Sequence, residues 1–456
     1  MTHRFHPSIL RDYDIRGTVG ETLFEADAYA VGRSFATRVR RAGGRRVAVG
    51  RDGRVSSPML EAALVAGLTE SGVDVVRVGL GPSPMLYFAE ATMAVDAGIQ
   101  VTGSHNPAGD NGFKLVLAHD SFFGDDVRDL ARLAEGGDWE KGAGTVTDAA
   151  VMQDYVARLL AGHTGGTFRI GWDAGNGAAG PAIERLTQKL PGEHHLLYTE
   201  VDGAFPHHHP DPTIPANLAV LITLVRRERL DIGFAFDGDG DRIGAVDARG
   251  RIIWGDQILA LLAEPLLREL PGAAIVADVK SSDALFDRVR ALGGRAVMAK
   301  SGHSQIKARM KAEGAAIGAE LSGHIFFAHK YYGFDDALYA AVRLIGAIHL
   351  SGVSLAELID RLPATQASPE LRIAVPEDRR LAIVDEVRAR VVASEARVDE
   401  TDGLRVSTTD GWWLLRASNT QAAVTLRAEA TDQAGLQRLL DTIDHQLALS
   451  GVSRTA

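Results

Sequence analysis

Short apolar, β-branched runs alternate along the chain with longer stretches of helical spacing. Arg46-Val-Ala-Val-Gly50 predicts a buried strand, and Ser56-Ser-Pro-Met-Leu60 caps a predicted helix with Leu60, Leu64 and Leu68 on its inner face. Val73–Val78 and Ala97–Val101 predict two further strands. The phrase then returns in Phe168–Asp173 and Asp231–Phe236, and again in Ala274–Asp278, Arg295–Ala299 and Ala315–Gly318. In each copy a strand ends at an Asp-containing turn (Asp52, Asp173, Asp278), and a later strand opens into a polar loop. Such alternation predicts α/β architecture with mostly parallel strands.

Near Ser368 the pattern changes. Leu371–Val375, a charged helix through Val384 to Val391, Trp412–Arg416 and Ala423–Arg427 predict a smaller α+β domain closed by a terminal helix. The expected division is 1–150, 151–251, 252–365 and 366–456, three similar α/β domains with mixed sheets followed by an α+β domain. Open α/β sheets place ligand groups beyond the carboxyl ends of their strands, so three repeated domains can aim one loop each at a shared central cleft.

Three late loops carry the chemistry: Thr102-Gly-Ser-His-Asn-Pro107, Asp237-Gly-Asp-Gly-Asp-Arg242 and Gly318-Ala-Glu-Leu-Ser-Gly-His324. Asp237, Asp239 and Asp241 alternate with glycines, which in an extended segment puts three carboxylates on one side. Oxygen-only ligands suit a hard cation such as Mg²⁺. An EF-hand is excluded, because its sixth position is Arg242 and its twelfth Ala248. Ser104 taken alone reads as a helix N-cap, but a serine at a loop or helix start also suits a phosphoryl group. Glu320, Ser322 and His324 alternate and suit vicinal sugar hydroxyls, while Arg416-Ala-Ser-Asn-Thr420 suits phosphate oxygens. His207-His-His209 reads as a loop rather than a zinc site, since three consecutive histidines cannot all face one ion in a regular element.

Composition narrows the partners. The 456 residues carry 59 acidic and 49 basic side chains, a net charge of −10, which argues against a nucleic acid or a membrane surface as partner. With no cysteine there is no disulfide and no thiol nucleophile. The start lacks a secretory apolar core, and the apolar run after Gly255 is broken by Glu264, Pro265, Arg268 and Glu269, so a cytoplasmic protein is expected. No intact nucleotide-binding fingerprint is present.

Taken in order, Tyr13-Asp-Ile-Arg-Gly17, Val49–Arg54, Thr102–Pro107, Asn111-Gly-Phe-Lys114, Asp202–Pro206, Asp237–Arg242, Gly302-His-Ser304, Glu320–His324 and Arg416–Thr420 span essentially the whole chain. The set resembles the α-D-phosphohexomutase superfamily and its bacterial phosphomannomutase/phosphoglucomutase branch. That resemblance implies four domains around a central cleft and reversible interconversion of hexose 1- and 6-phosphates of mannose, glucose or both. It implies a phosphoserine at Ser104, Mg²⁺ on Ser104, Asp237, Asp239 and Asp241, and glucose or mannose 1,6-bisphosphate as intermediate. It places Glu320 and Ser322 on sugar hydroxyls, and Arg416, Ser418, Asn419 and Thr420 on the non-reacting phosphate. Tyr13, Arg16, Lys280, His303 and His324 line the cleft, with Lys114 and Arg242 beside the phosphoserine. His324 is the first choice for general acid/base and Lys114 the second. Phosphoglucosamine mutase, whose Ser-Gly-Thr is replaced here by Ser418-Asn419-Thr420, and a metal-dependent sugar-phosphate phosphatase are the alternatives. The expected partners are small phosphosugars with no obligate protein partner, and the basic residues named make one positive site on an acidic chain.

Overall fold

The computed structural model describes residues 2–393, 397–418 and 422–454. Four sheets follow one another along the chain. In the first, Arg46–Arg51 lies between Asp74–Leu80 and Ala97–Val101, parallel to both, and Asp110–Leu117 joins Ala97–Val101 antiparallel. The second has Phe168–Asp173 between the parallel strands Gly192–Leu197 and Ile232–Phe236, with Ile243–Asp247 antiparallel to the latter. The third sets Ala274–Asp278 between the parallel strands Arg295–Ala299 and Ile317–Ala319, with Ile325–Phe327 antiparallel to the latter.

The repeat seen in the sequence is therefore a repeat of topology. Each of the three chemical loops joins a parallel strand to its antiparallel neighbour, so each sits at the same place in its own sheet. The strands entering these loops are buried on both faces, which is why they read as near-continuous apolar runs. Gln100 interrupts the first run and is itself buried, its Nε2 donating to the Gly81 carbonyl at 2.9 Å.

Packing joins these three sheets into one body. A single apolar cluster runs from Ala48 and Met85 through Trp172 and Leu259 to Ile345. At its centre lies the helix Ala337–Ser351, buried on nearly every face and N-capped by Asp336, which accepts from the Tyr339 N–H at 2.9 Å. On the other face of the first sheet, helices Glu25–Arg41 and Ser57–Glu70 cross at Gly32 and Gly67. A Cβ at Gly32 would stand 2.3 Å from the Leu64 carbonyl oxygen, so only glycine allows this approach. Ser56 precedes the second of these helices without a side-chain cap bond, and its Oγ accepts from Asn111 Nδ2 at 2.8 Å instead. The expected serine cap is replaced by a tertiary contact.

The fourth sheet is wholly antiparallel, with Ala423–Ala430 at its centre and helices Arg379–Ala393 and Gln433–Leu449 packed on it. It docks on the third unit through Val279, Trp412 and Leu414. Arg405 donates to the Val279 carbonyl at 2.9 Å, and Ser282 Oγ donates to Glu429 at 2.7 Å. Among the described residues no helix is long and apolar enough to cross a membrane.

Candidate active site

The three loops and the fourth unit meet at one cleft of about 280 Å³. Its lining includes Tyr13, Arg16, Ser104, Lys114, Arg242, Lys280, His303, Glu320, Ser322, His324, Arg416 and Ser418. Asn419 and Thr420 lie outside the described residues.

Ser104 begins no helix. It sits in a turn at φ 49°, a left-handed conformation that costs a non-glycine residue on the order of 1–3 kcal/mol. The surrounding bonds hold it there. Its N–H donates to Thr102 Oγ1 at 2.8 Å, and its Oγ donates to Asp237 Oδ2 at 2.9 Å. His105 Nδ1 stands 3.1 Å from the same Oγ. Loss of water, followed by the nearby Arg242 and Arg16 charges, pushes His105 well below the ordinary imidazole range, so it stays neutral.

Asp237, Asp239 and Asp241 converge, though not by strand alternation. The segment is a tight turn with Gly240 at φ 72°, and Asp237 Oδ1 caps it by accepting from the N–H groups of Asp241 and Arg242 at 3.1 Å each. All three carboxylates are fully buried. Burial and the two neighbouring aspartates push Asp237 well above its usual range. Burial likewise opposes charge on Asp241, but Lys114 and His324 outweigh it and hold that carboxylate well below the usual range. Lys114 donates to Asp239 at 2.6 Å and also to Asp241. Asp239 Oδ1 remains buried without a hydrogen-bond partner. Three oxygen ligands within 4.8 Å of one another, with such an orphan oxygen among them, fit a hard divalent cation.

Glu320 and His324 do not alternate along an extended loop either. Glu320 N–H donates to the His324 carbonyl at 2.9 Å, closing a turn that brings His324 Nδ1 within 2.9 Å of Glu320 Oε2. Burial opposes charge on His324, yet Asp241 raises its pKa to about 9; burial also opposes charge on Glu320, but its hydrogen bond with His324 holds it at about 2. Arg242 pairs with His324 through a backbone bridge, and its Nε stands 3.3 Å from His324 Nε2. Ser322 Oγ lies 3.5 Å from His324 Nδ1.

On the opposite side, Arg416 Nε pairs with Asp402 at 2.9 Å and Lys280 with Glu370 at 3.1 Å. Tyr13 donates to the Ser301 carbonyl at 2.9 Å and meets His303 edge-on. Arg16 donates to Asn106 Oδ1 at 2.7 Å. Asp402 accepts from the Ser301 N–H at 3.0 Å, so one carboxylate links the third unit to the fourth.

Arg54 has no role in the sequence reading although it stands inside one of the quoted motifs. Its buried guanidinium donates to the carbonyls of Ser104 (2.7 Å), Asn106 (2.6 Å), Pro107 (2.5 Å) and Asp110 (2.8 Å), and so moulds the whole Ser104 loop. Phe205, in the Asp202–Pro206 motif, lies 5.1 Å below it. Glu370, Asp402 and Asp335 likewise have no role in the sequence reading, since single acidic residues far from any loop motif carry no sequence signal. His208 of the histidine run pairs with buried Asp173 at 3.1 Å, a structural contact beneath the aspartate loop.

A strained, buried serine stands beside three buried carboxylates and faces a basic wall across one cleft. Models of the phosphoglucomutase/phosphomannomutase family match this chain in its alpha/beta/alpha domain I at residues 8–135, domain II at 153–250, domain III at 254–365 and the C-terminal domain at 370–446. The chain belongs to that family. It is 41% identical over 441 residues to a phosphomannomutase/phosphoglucomutase of Pseudomonas putida, covering 96% of this chain and 95% of the relative. It is also 41% identical over 437 residues to a phosphoglucomutase of Neisseria gonorrhoeae, covering 94% and 95%. A crystal structure of a phosphoglucomutase/phosphomannomutase family protein from Burkholderia thailandensis superposes with a TM-score of 0.93 at 41% identity, over 98% of each chain. An N-acetylphosphoglucosamine mutase of Aspergillus fumigatus, 15% identical with a TM-score of 0.65, shares the fold.

Proposed function

We propose that this protein interconverts the 1- and 6-phosphates of a hexose, mannose or glucose, through a phosphoserine at Ser104 and a bound 1,6-bisphosphate. The observation that carries the proposal is Ser104 Oγ held at 2.9 Å from Asp237 in the cleft that Glu320, His324 and Arg416 also line. In this reading the chain divides into 1–150, 151–251, 252–365 and 366–456, and each part supplies one loop. The assignment includes a cytoplasmic location and no obligate protein partner.

Phospho-Ser104 passes its phosphoryl group to the free 1- or 6-hydroxyl of the bound sugar monophosphate: the Ser104 Oγ–P bond breaks as the sugar O–P bond forms. His324, protonated by its raised pKa, relays the hydroxyl proton to the freed Ser104 Oγ by giving up one proton as it takes the other. The bisphosphate reorients, its other phosphoryl group returns to Ser104 Oγ, and the Ser104 proton passes by the same relay to the sugar oxygen. No water is consumed. Asp237, Asp239, Asp241 and Ser104 would hold Mg²⁺, which supplies neutralisation of charge on the transferring group. Lys114 and Arg242 add positive charge at that phosphorus. Glu320 and Ser322 accept and orient sugar hydroxyls, which both orientations present alike. Arg416 and Ser418, with Asn419 and Thr420, hold the phosphate that does not react, assisted by Lys280, Tyr13, Arg16 and His303.

Intact mass and phosphopeptide mapping of the purified protein test the reading. A phosphoryl group on Ser104 that discharges onto mannose 1-phosphate or glucose 1-phosphate is the expected result. Release of inorganic phosphate without isomer formation would instead make the protein a phosphatase.

A further inference from the structure

Beside the aspartate turn lies a second group of metal-ligating side chains. Asp241, His324 and Asp335 are all buried, and each offers a ligand atom within 4.8 Å of the other two. The two carboxylates are arranged alike. Asp241 Oδ2 accepts from Lys114 and Asp335 Oδ1 accepts from Lys307 at 3.2 Å, which leaves Asp241 Oδ1 and Asp335 Oδ2 buried without hydrogen-bond partners. Those oxygens stand 3.2 and 3.8 Å from His324 Nε2. His303 Nδ1, also without a hydrogen-bond partner, is 4.0 Å from Asp335 Oδ2. Asp335 Oδ2 is costly to leave without a donor, whereas Asp241 Oδ1 faces the His324 proton as an ion pair, so a cation binding between them takes the place of that proton and releases it.

The spacing suits a tetrahedral ion. Bonds of ~2.0–2.2 Å to nitrogen and oxygen put neighbouring ligand atoms about 3.4 Å apart. His324 Nδ1 against Glu320 Oε2 at 2.9 Å is the carboxylate–imidazole pairing that leaves Nε2 as the ligating atom. We propose that Asp241, His324 and Asp335, with His303 as fourth donor, form a second cation site for a transition ion such as Zn²⁺. It differs from the all-oxygen group Asp237, Asp239 and Asp241, because a mixed imidazole and carboxylate set selects zinc-like ions and disfavours Mg²⁺. The Asp241 carboxylate bridges the two positions. Arg242 Nε gives up its contact with His324 Nε2 when the ion binds. Occupancy removes His324 from proton transfer, so the ion inhibits. That last consequence rests on the function proposed above, and the binding does not.

Calorimetric titration of the full-length, Mg²⁺-saturated protein with Zn²⁺, followed by X-ray absorption of the zinc-loaded protein, tests the site. The expected result is one Zn²⁺ per chain in addition to Mg²⁺, with imidazole in its shell. Asp335→Asn should weaken Zn²⁺ binding at least tenfold, while Asp239→Asn should not. Unchanged affinity in Asp335→Asn overturns the proposal, as does a shell of oxygen alone or one-for-one displacement of Zn²⁺ by Mg²⁺. The absorption measurement uses the unsubstituted chain, so a variant that fails to fold does not decide the outcome.

Discussion

The two walls of the cleft carry opposite charge and balance it in different ways. On the acidic wall, Asp237, Asp239 and Asp241 are fully buried, and part of their compensation is built in: backbone N–H groups on Asp237 and Lys114 across Asp239 and Asp241. Beneath them the Arg54 guanidinium fixes the Ser104 loop through four carbonyls. On the basic wall, Arg416 and Lys280 are each paired directly with a carboxylate, Asp402 at 2.9 Å and Glu370 at 3.1 Å. A phosphate dianion that takes over such a cation must leave the displaced carboxylate water or another partner, because a buried charge left unpaired is costly. In the proposed function the acidic wall keeps its partners and the basic wall exchanges them.

The sharpest way to break this contrast is Ser104→Ala. Turnover should fall by about 10⁴-fold or more, while calorimetry with glucose 1-phosphate should still show binding, because the basic wall is intact. Loss of binding in parallel with turnover would mean that the walls do not act separately. Next in size is Arg54→Lys. A point charge cannot serve four carbonyls in one plane, so the variant should lose about 2–4 kcal/mol in urea unfolding together with most of its activity. An unchanged midpoint would remove Arg54 as the brace of the acidic wall.

Arg416→Ala tests the other side. We expect KM to rise by about 10–100-fold with a smaller change in kcat, the pattern of lost uniform binding. A fall confined to kcat would place Arg416 with the reacting phosphoryl group instead. The smallest effect lies away from both walls, at Asp336, whose pKa burial lifts to about 7 despite the Tyr155 and Tyr331 hydroxyls and the Tyr339 N–H donated to it. An acid whose folded pKa lies above its unfolded value binds more protons when folded, so its stability contribution falls as pH rises from about 4 to 7. Asp336→Asn keeps the helix cap without titrating. The melting temperature of the unsubstituted protein should therefore drop relative to the variant across that window, and parallel profiles would refute it.

Much of this molecule is legible in its sequence. The runs at Arg46, Ala97, Phe168, Asp231 and Ala274 are strands because β-branched and apolar residues flanked by turns leave few alternatives. The loops at Ser104, Asp237 and Glu320 stand out because their residues are chemically unusual at that spacing. Their conformations do not follow from it. Strand alternation was expected to align the three aspartates, whereas a left-handed glycine and a backbone-capped turn bring them together, and Ser104 sits in a strained turn rather than at a helix start. Local sequence limits which conformations are possible, and the surrounding bonds choose among them.

The order of strands and helices, the three repeated loops and the residue types those loops carry follow from local sequence, since all of these depend on residues within a few positions of one another. Which distant groups balance them follows from the fold alone. Lys114 reaches Asp239, Arg54 reaches Asp110, Asp335 reaches His324, and Asp402 reaches Arg416 and the Ser301 N–H. A lone lysine, arginine or aspartate reads in sequence as a solvated surface residue. It becomes part of a site only when folding removes its water and leaves it protein partners alone, and burial is a property of the whole chain.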